Sequence, residues 1–527
     1  MPFYFTHAGT SLQKVSAAGV PSTVTLPAGV TMSATRRGRF SAMGNMVVCV
    51  HAPSINVAID LTTLTAYPMT VIAPTSALTP AAGAAGVLTG TYAYKVTYSI
   101  QDGTVVLSES NFSAASADVT LSAQKGALTN IPVSPDATVT NRRLYRTTSG
   151  GSTYFFLAAI DNNDTTYTDD TPDAGLSTIA APTDLGEPAG ATATDYLRDI
   201  VSWQGRFWAL SSVDVDNVYF SGVDKFYGWP ATYFLPIHPT GQSEVGCNAF
   251  IPRRDELGVS KQEGLSKIVG TGVSDYRVVP IISAYGVLAP DSVVVIRDTA
   301  YFLAADGVYS WGADGVNKVS NRVDPWFITD DFFDRSRFVD AFARWNIQED
   351  TYELHLSSNG SSTHDQWVSF DLGRGLWLGP HTTTAFVPTA GGQVETIAGV
   401  PVSVIGASNG HIYRANSAAY ADVSSAIAFD MQTGWLQAGS PNTTKAWGQL
   451  VLHSGIETQG VVTITPYVGG LDALPGEPLL ADLTKGRERL PRLGVGRLMS
   501  LRFQQARANE PCRILGFECK AGIRGTR

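Results

Sequence analysis

Cysteine is scarce in this chain: Cys49, Cys247, Cys512 and Cys519 are spread over 527 residues with no C-x-x-C spacing. Without that spacing, buried thiols rather than a disulfide framework are the expected state. Cys512 and Cys519 are close enough in sequence for a hairpin bridge, which stays open as an alternative. Long apolar runs are missing as well. Nothing approaches the roughly 18 residues of a membrane helix, and the opening MPFYFTHAGTSLQKV lacks the charged-then-apolar layout of a secretory signal. The chain is therefore expected to be made and used without stable membrane insertion.

Signatures of chemistry are equally sparse. The eight histidines are scattered, and no HExxH or His-x-x-x-His spacing offers a metal face. There is no Walker-type glycine loop, and Gly494-Val495-Gly496 is too short to cradle a phosphate. His355 and His364-Asp365 flank an Asn359-Gly360 turn that reads as a hairpin loop. Asp214 and Asp216 with Asn217, like Asp161-Asn-Asn-Asp164, place oxygens where calcium would want them, but they lack the glycine and distal Glu of an EF-hand loop. Asp and Asn also build ordinary turns, so both readings stay open. The carboxylate pairs Asp169-Asp170 and Asp330-Asp331 say nothing without a spatial separation. Residues 304–311, AADGVYSW, put Gly directly after Asp and so lose the Ser-x-Asp-x-Gly-x-x-Trp repeat of sialidase-like propellers. No catalytic, cofactor-binding or metal-ligating residue is assigned.

What the chain has is turns and alternation. Gly (51) and Pro (28) punctuate it throughout, 44% of it is hydrophobic, and long amphipathic helical patterns are hard to find, which sets the class as mainly β. The densest signal is residues 289–320. Val293, Val295, Tyr301 and Leu303 alternate at a period of two, and Arg297-Asp298 and Asp306-Gly307 supply turns. The same grammar recurs at residues 202–210, 217–222, 346–356, 366–377 and 406–414. Each unit has a stripe that one hairpin cannot bury, so neighbours must cover it, as in a propeller of repeating blades. A large β-sandwich with ordinary hairpins is the plainer alternative.

All ten tryptophans lie at or after Trp203, separating a Trp-free first third from an aromatic remainder. Within that third, Ala/Pro/Thr-rich linkers enclose a module whose strands are legible at Tyr92, Tyr94, Val96 and Tyr98, at residues 143–146 and at residues 154–157. Tyr92, Tyr94 and Tyr98 form either a core face or an exposed platform for stacking sugar rings. Charge divides differently. Residues 485–527 hold eleven Lys/Arg against Glu488, Glu510 and Glu518, a surplus of +8, which leaves −17 for residues 1–484. The basic tail is expected to face solvent or a subunit interface, with Arg497 and Arg502 docking on an acidic neighbour. So acidic a body would not grip a DNA backbone, whose phosphates call for Lys and Arg.

Through Gly90-Thr-Tyr92-Ala-Tyr94, Glu109-Ser110, Leu144-Tyr145-Arg146-Thr147 and Tyr167-Thr-Asp169, the module resembles the fibronectin type III-like and immunoglobulin-like domains inserted in phage structural proteins. It lacks the Cys pair and core Trp of antibody domains. The wider chain resembles the β-propeller tail hub, or nozzle, proteins of short-tailed bacteriophages over roughly residues 190–420 and 440–527. That likeness rests on Asn217-Val-Tyr-Phe-Ser-Gly222 with Trp229-Pro230, on Gly286-Val287 leading to Ser292-Val293, and on Tyr301-Phe302 with Asp306-Gly307-Val308-Tyr309. Val319-Ser320, Val495-Gly496-Arg497 and Cys512-Arg-Ile-Leu-Gly516-Phe517 add to it.

The resemblance implies a virion protein, assembled in the host cytoplasm as a homo-oligomeric ring of six below the portal and its adaptor. It implies contacts with spikes, fibres or a tail needle, and viral DNA passing through the lumen without sequence-specific binding. It implies no cofactor, no metal and no catalysis. The competing reading is a glycan-binding propeller. The expected architecture is a β-propeller-like core with an inserted β-sandwich module and a C-terminal β domain. Residues 1–74 form an N-terminal β segment contributing to the propeller, 75–185 the fibronectin/Ig-like insertion, 186–420 the propeller body and 421–527 the C-terminal domain. The module is expected to be excisable, with few contacts crossing its boundary.

Overall fold

Residues 289–320 fold as their alternation demands. Val294–Ile296, Thr299–Ala304, Gly307–Gly312 and Gly315–Lys318 form a four-stranded antiparallel meander in sequential order. Ile296 pairs with Thr299, so Arg297 and Asp298 are a two-residue turn, and both have positive φ (50° and 66°), the geometry that matches strand twist. The computed structural model describes all residues except 1–2, 17, 29, 35, 51–55, 183–184, 186–195, 238–245, 283, 384, 396–398, 415–420, 423–424, 508–509 and 526–527. The end of the second sequence-predicted linker therefore lies outside the described residues.

Four more meanders repeat this blade. The first is Arg39–Met43, Met46–Val50, Val57–Asp60 and Ala66–Pro68, and the second is Leu197–Trp203, Arg206–Ser211, Asn217–Phe220 and Phe234–Pro236. The third is Ala249–Pro252, Leu257–Lys261, Gly264–Val269 and Arg277–Ile282. Residues 289–320 hold the fourth, and the fifth is Phe342–Asn346, Thr351–Leu356, Gln366–Asp371 and Leu376–Thr382. Successive residues of a strand point to opposite faces, and the blades use both. Phe250 packs with Trp208 and Leu210 of the second blade, whereas its neighbours Ala249 and Ile251 pack with Ala300, Phe302 and Trp311 of the fourth. Gly258 makes the second of these contacts possible, because a Cβ there would sit 2.4 Å from the Trp311 indole. First strands of successive blades are neighbours, and Arg37 lies over the Phe342 ring (5.0 Å), joining the first blade to the fifth. The result is a β-propeller core. A three-stranded sheet, Phe3–Ala8, Ser11–Ser16 and Pro21–Thr23, packs on the outer face of the first blade through Leu12, Val24, Cys49 and Ile59.

Between the first and second blades the chain builds a β-sandwich. One sheet orders Val105–Glu109, Tyr94–Asp102, Asn141–Thr147 and Tyr154–Asp161; the other orders Tyr167–Asp169, Val119–Thr129 and Thr79–Tyr92. Leu88, Tyr92, Tyr94, Val96, Leu121, Leu128 and Leu144 fill its core. Strand Tyr94–Asp102 would leave half an edge open beyond Val105–Glu109. A serine ladder closes it. Ser110, Ser113 and Ser116 donate their N–H groups to the carbonyls of Tyr98, Val96 and Tyr94 (2.8–2.9 Å), and their hydroxyls accept the N–H groups of those same residues (2.9–3.1 Å). Three residues of this segment thus serve two of the strand, with Oγ standing in for a backbone carbonyl, and the edge offers no template for stray pairing. Ser113→Ala leaves the buried Val96 N–H without its acceptor and is expected to cost about 1–3 kcal/mol in denaturant unfolding. Asp118→Ala, exposed on the same segment, should stay within ~0.5 kcal/mol.

The expectation of few contacts across the module boundary is corrected by the structure. Tyr98, Ile100, Leu107 and Val139 share one core with Val48, Leu197, Phe226, Tyr227 and Trp229 of the propeller. The strand's periodicity was legible, but its length was assigned to a single core. Tyr94 and Val96 turn into the sandwich, while Tyr98 and Ile100, further along the same face, turn into the propeller.

The chain divides into two compact units, residues 1–380 with 389–406, and residues 381–388 with 407–527. The second unit is a sandwich of its own. Thr444–Ser454 runs between Arg487–Gly496 and Ile514–Gly525, and the facing sheet orders Phe429–Gln432, Leu498–Gln505, Val461–Gly469 and Leu479–Asp482. Trp447, Leu450, Leu452, Ile464, Leu501 and Phe503 form its core. All four cysteines are free; burial pushes the Cys49 and Cys247 thiols up to about 12, and Cys512 and Cys519 are not bridged. No helix among the described residues is long and apolar enough to cross a membrane.

Candidate functional site

The ionisable groups that sequence reasoning passed over are those on the propeller's inner strands. The Arg36-Arg37-Gly38-Arg39 run enters the first blade. Arg37 and Arg39 each reach Asp291, at the mouth of the fourth blade, at 2.7 and 2.8 Å. Asp199, in the first strand of the second blade, accepts the N–H of Ile200 at 2.9 Å and the N–H of Phe250, in the third, at 2.8 Å. Burial raises the Asp199 carboxyl above the usual range, and the Arg39 charge and those two N–H groups oppose the shift. Four blades are thus cross-linked through polar groups where their inner strands meet. The available signal was a charged residue set in an apolar strand, Leu197-Arg-Asp-Ile-Val.

The candidates singled out from sequence are brought into structural roles. His355 is stacked between Phe342 (4.5 Å) and Trp367 (5.6 Å), and His364 meets Phe342 edge-on. Burial and the charges of Arg37 and Arg337 lower His364 to about 4, with Asp340 opposing. A histidine whose folded value lies below its unfolded 6.5 binds fewer protons when folded. Its stabilising effect is complete above pH 6.5 and is lost as pH falls toward 4. His7, lowered by burial, acts in the same sense. Thermal melts between pH 7 and 4 are expected to show a falling midpoint, with a shallower fall in His364→Gln. An unchanged slope would remove His364 from the account.

Groups at both calcium candidates are engaged within the chain. Asp214 accepts the Asn217 amide (2.7 Å) and the Tyr219 hydroxyl, while Asp216 pairs with Lys261 (2.5 Å). In residues 161–164 the Arg142 guanidinium fills the place a cation would take, donating to the carbonyls of Ile131, Pro132, Asp161 and Asp164. Asp306 holds the Tyr309 hydroxyl and Lys318, both at 3.1 Å, and Asp365 caps Ser358. Asp169 is buried against Arg146, Asp170 pairs with Lys125, Asp330 accepts a backbone N–H from Arg335, and Asp331 is exposed. No group of three His, Cys, Asp or Glu that could hold a metal occurs among the described residues. An open cleft of about 490 Å³ borders Lys14, Ser22, Thr23, Leu64, Thr65 and Thr138; Lys14 is its one charged lining residue, so it brings no acid–base pair. Tyr92, Tyr94 and Tyr98 are buried, so these three side chains form a core face and not an exposed platform.

The basic tail resolves into two parts. Arg502 pairs with Asp430 within the chain, at 2.8 and 2.5 Å. Four further cations lie on the outer face of the sheet centred on Thr444–Ser454. Leu450 and Leu452 point inward, so Gln449, Val451 and His453 point out. Arg492, Arg489 and Arg487 stand beside these three on one flank, with Glu518 beside Val451 and Lys520 two residues on along the other. His453 meets Glu518 at 3.0 Å.

No family profile and no curated protein matches the chain. Among solved structures it is similar to AztD of Citrobacter koseri, at 10% identity over 72% of this chain and 85% of that one (TM-score 0.29). It is also similar to PorZ, a surface component of the type IX secretion system of Porphyromonas gingivalis, at 8% identity over 94% and 80% (TM-score 0.27). A third similarity is to the Swd1 β-propeller domain of Myceliophthora thermophila, at 8% identity over 79% and 97% (TM-score 0.25). These likenesses are too distant to carry an argument about function.

Proposed function

We propose that this chain is a structural protein of a phage particle, a tail hub or nozzle that assembles as a ring below the portal and adaptor and lines the exit path of the DNA. The observation that carries this reading is the cross-link on the inner strands. Arg37, Arg39, Asp199 and Asp291, which a propeller enzyme would present to substrate, are bound to one another and to backbone groups across four blades. Such an arrangement holds blades together and commits both carboxylates to structural contacts. The hairpin series and the inserted sandwich agree with the family likeness of the sequence. In this role the protein works without cofactor, metal or catalytic residue, in the virion tail, after assembly in the host cytoplasm. Its partners are further copies of itself, the portal and adaptor, and spikes, fibres or a tail needle. The test is proteomics of purified particles together with a glycan-array and glycoside-hydrolysis screen of the pure protein. The reading expects the chain in the particle at a fixed copy number and both screens blank; hydrolysis abolished at one carboxylate, or absence from particles, would overturn it.

A further inference from the structure

Four cations on one sheet face have no side-chain partner among the described residues. Arg487, Arg489, Arg492 and Lys520 are all exposed, and none of their side chains forms a hydrogen bond or ion pair with another described residue. The one carboxylate among them, Glu518, is engaged by His453. The face is the outer side of a three-stranded sheet, and Val451 gives it an apolar centre. Its setting is just as one-sided. The second compact unit carries thirteen Lys/Arg against nine Asp/Glu, a net of +4, while the first carries twenty-four against thirty-seven, a net of −13.

We propose that this arginine face is the docking surface for the acidic propeller-bearing unit of a second copy of the same chain. Three arguments select that occupant. Guanidinium groups pair bidentately with carboxylates and shed water more readily than ammonium groups, which suits them to an interface. A two-fold pairing of the face with itself would set arginine against arginine, so the neighbour must offer a different surface; such head-to-tail contact is the operator that generates rings. A nucleic acid would find no Phe, Tyr or Trp side chain among the described residues of this face to stack on, and would meet repulsion from the rest of the chain. The inference deepens the ring reading and rests on it only in naming the surface that makes the ring.

The test uses the full-length protein. Mass photometry and sedimentation velocity are run over a concentration series from roughly 50 to 500 mM salt, a range over which surface charges become screened. Wild type is expected to self-associate, with a dissociation constant that rises at least ~10-fold across that range. Arg487→Glu/Arg489→Glu/Arg492→Glu is expected to stay monomeric throughout with an unchanged melting curve, since these side chains support nothing inside the fold. Should the triple reversal misfold, Lys520→Glu and the charge-neutral Arg→Gln triple carry the same comparison. Three results overturn the proposal: a wild type that is monomeric at every concentration, reversals that associate like wild type, or duplex DNA that binds wild type and loses binding in the reversals while self-association is unchanged. The last makes the face a polyanion site. All three leave the hub reading to its own test, because particles containing the chain at fixed copy number can be held by another surface, and a salt-sensitive oligomer absent from particles would fail the hub reading alone.

Discussion

Asp169→Ala is expected to destabilise the inserted sandwich by about 3–5 kcal/mol, the range for removing one partner of a buried ion pair. Arg146 is fully buried, and its guanidinium donates to Asp169 at 2.7 Å, to the Thr171 carbonyl at 2.7 Å and to Asp173 at 2.8 Å. Asp169 also accepts the Tyr94 hydroxyl at 3.0 Å. Truncating it strands a positive charge and a phenol in the core. Asp173, half-exposed, keeps part of the compensation and places the result toward the lower end. Denaturant unfolding followed by the module's tyrosines is the measurement. Asp170→Ala is the matched control: that carboxylate sits at the surface beside Lys125, and its loss should stay near ~0.5 kcal/mol. Equal effects at the two positions would mean that the buried network does not hold the module.

Excision of residues 75–185 behind a short Gly/Ser bridge is expected to damage the propeller. Tyr98, Ile100, Leu107 and Val139 cover Phe226, Tyr227 and Trp229, and each such apolar side chain is worth about 1.5–3 kcal/mol when fully buried. Exposing that patch should lower the propeller's melting temperature by at least ~5 °C and promote aggregation. Replacing Phe226 and Trp229 with Ser in the excised protein should restore solubility without restoring the melting temperature. A deletion that melts with the parent would mean that the shared core is not energetically coupled.

The blades were legible because their signals are local. A two-residue turn at Arg297-Asp298 and alternation in Thr299–Ala304 are written within ten residues. The serine ladder was legible in principle, since Ser110, Ser113 and Ser116 recur every third residue, but that period belongs to neither helix nor strand and was passed over. The axial cross-link was not legible. Arg39, Asp199, Phe250 and Asp291 lie up to 252 positions apart, and only the ring order of the blades brings them together. Arg502 shows the opposite failure: its exposure was foreseen, but its partner Asp430 lies on a strand that pairs from 72 residues away. Local chemistry therefore revealed the scaffold, while every ion pair that defines the candidate site depended on topology.

Whether the chain is a ring-forming tail component is decided by an asymmetric reconstruction of the particle's tail with the chain fitted into density. The density should hold a closed ring, six copies by the family likeness, lying below the portal and adaptor. The arginine face of each copy should abut the acidic unit of the next, around an open lumen. A chain found as isolated single copies, or not found in the tail at all, would contradict it.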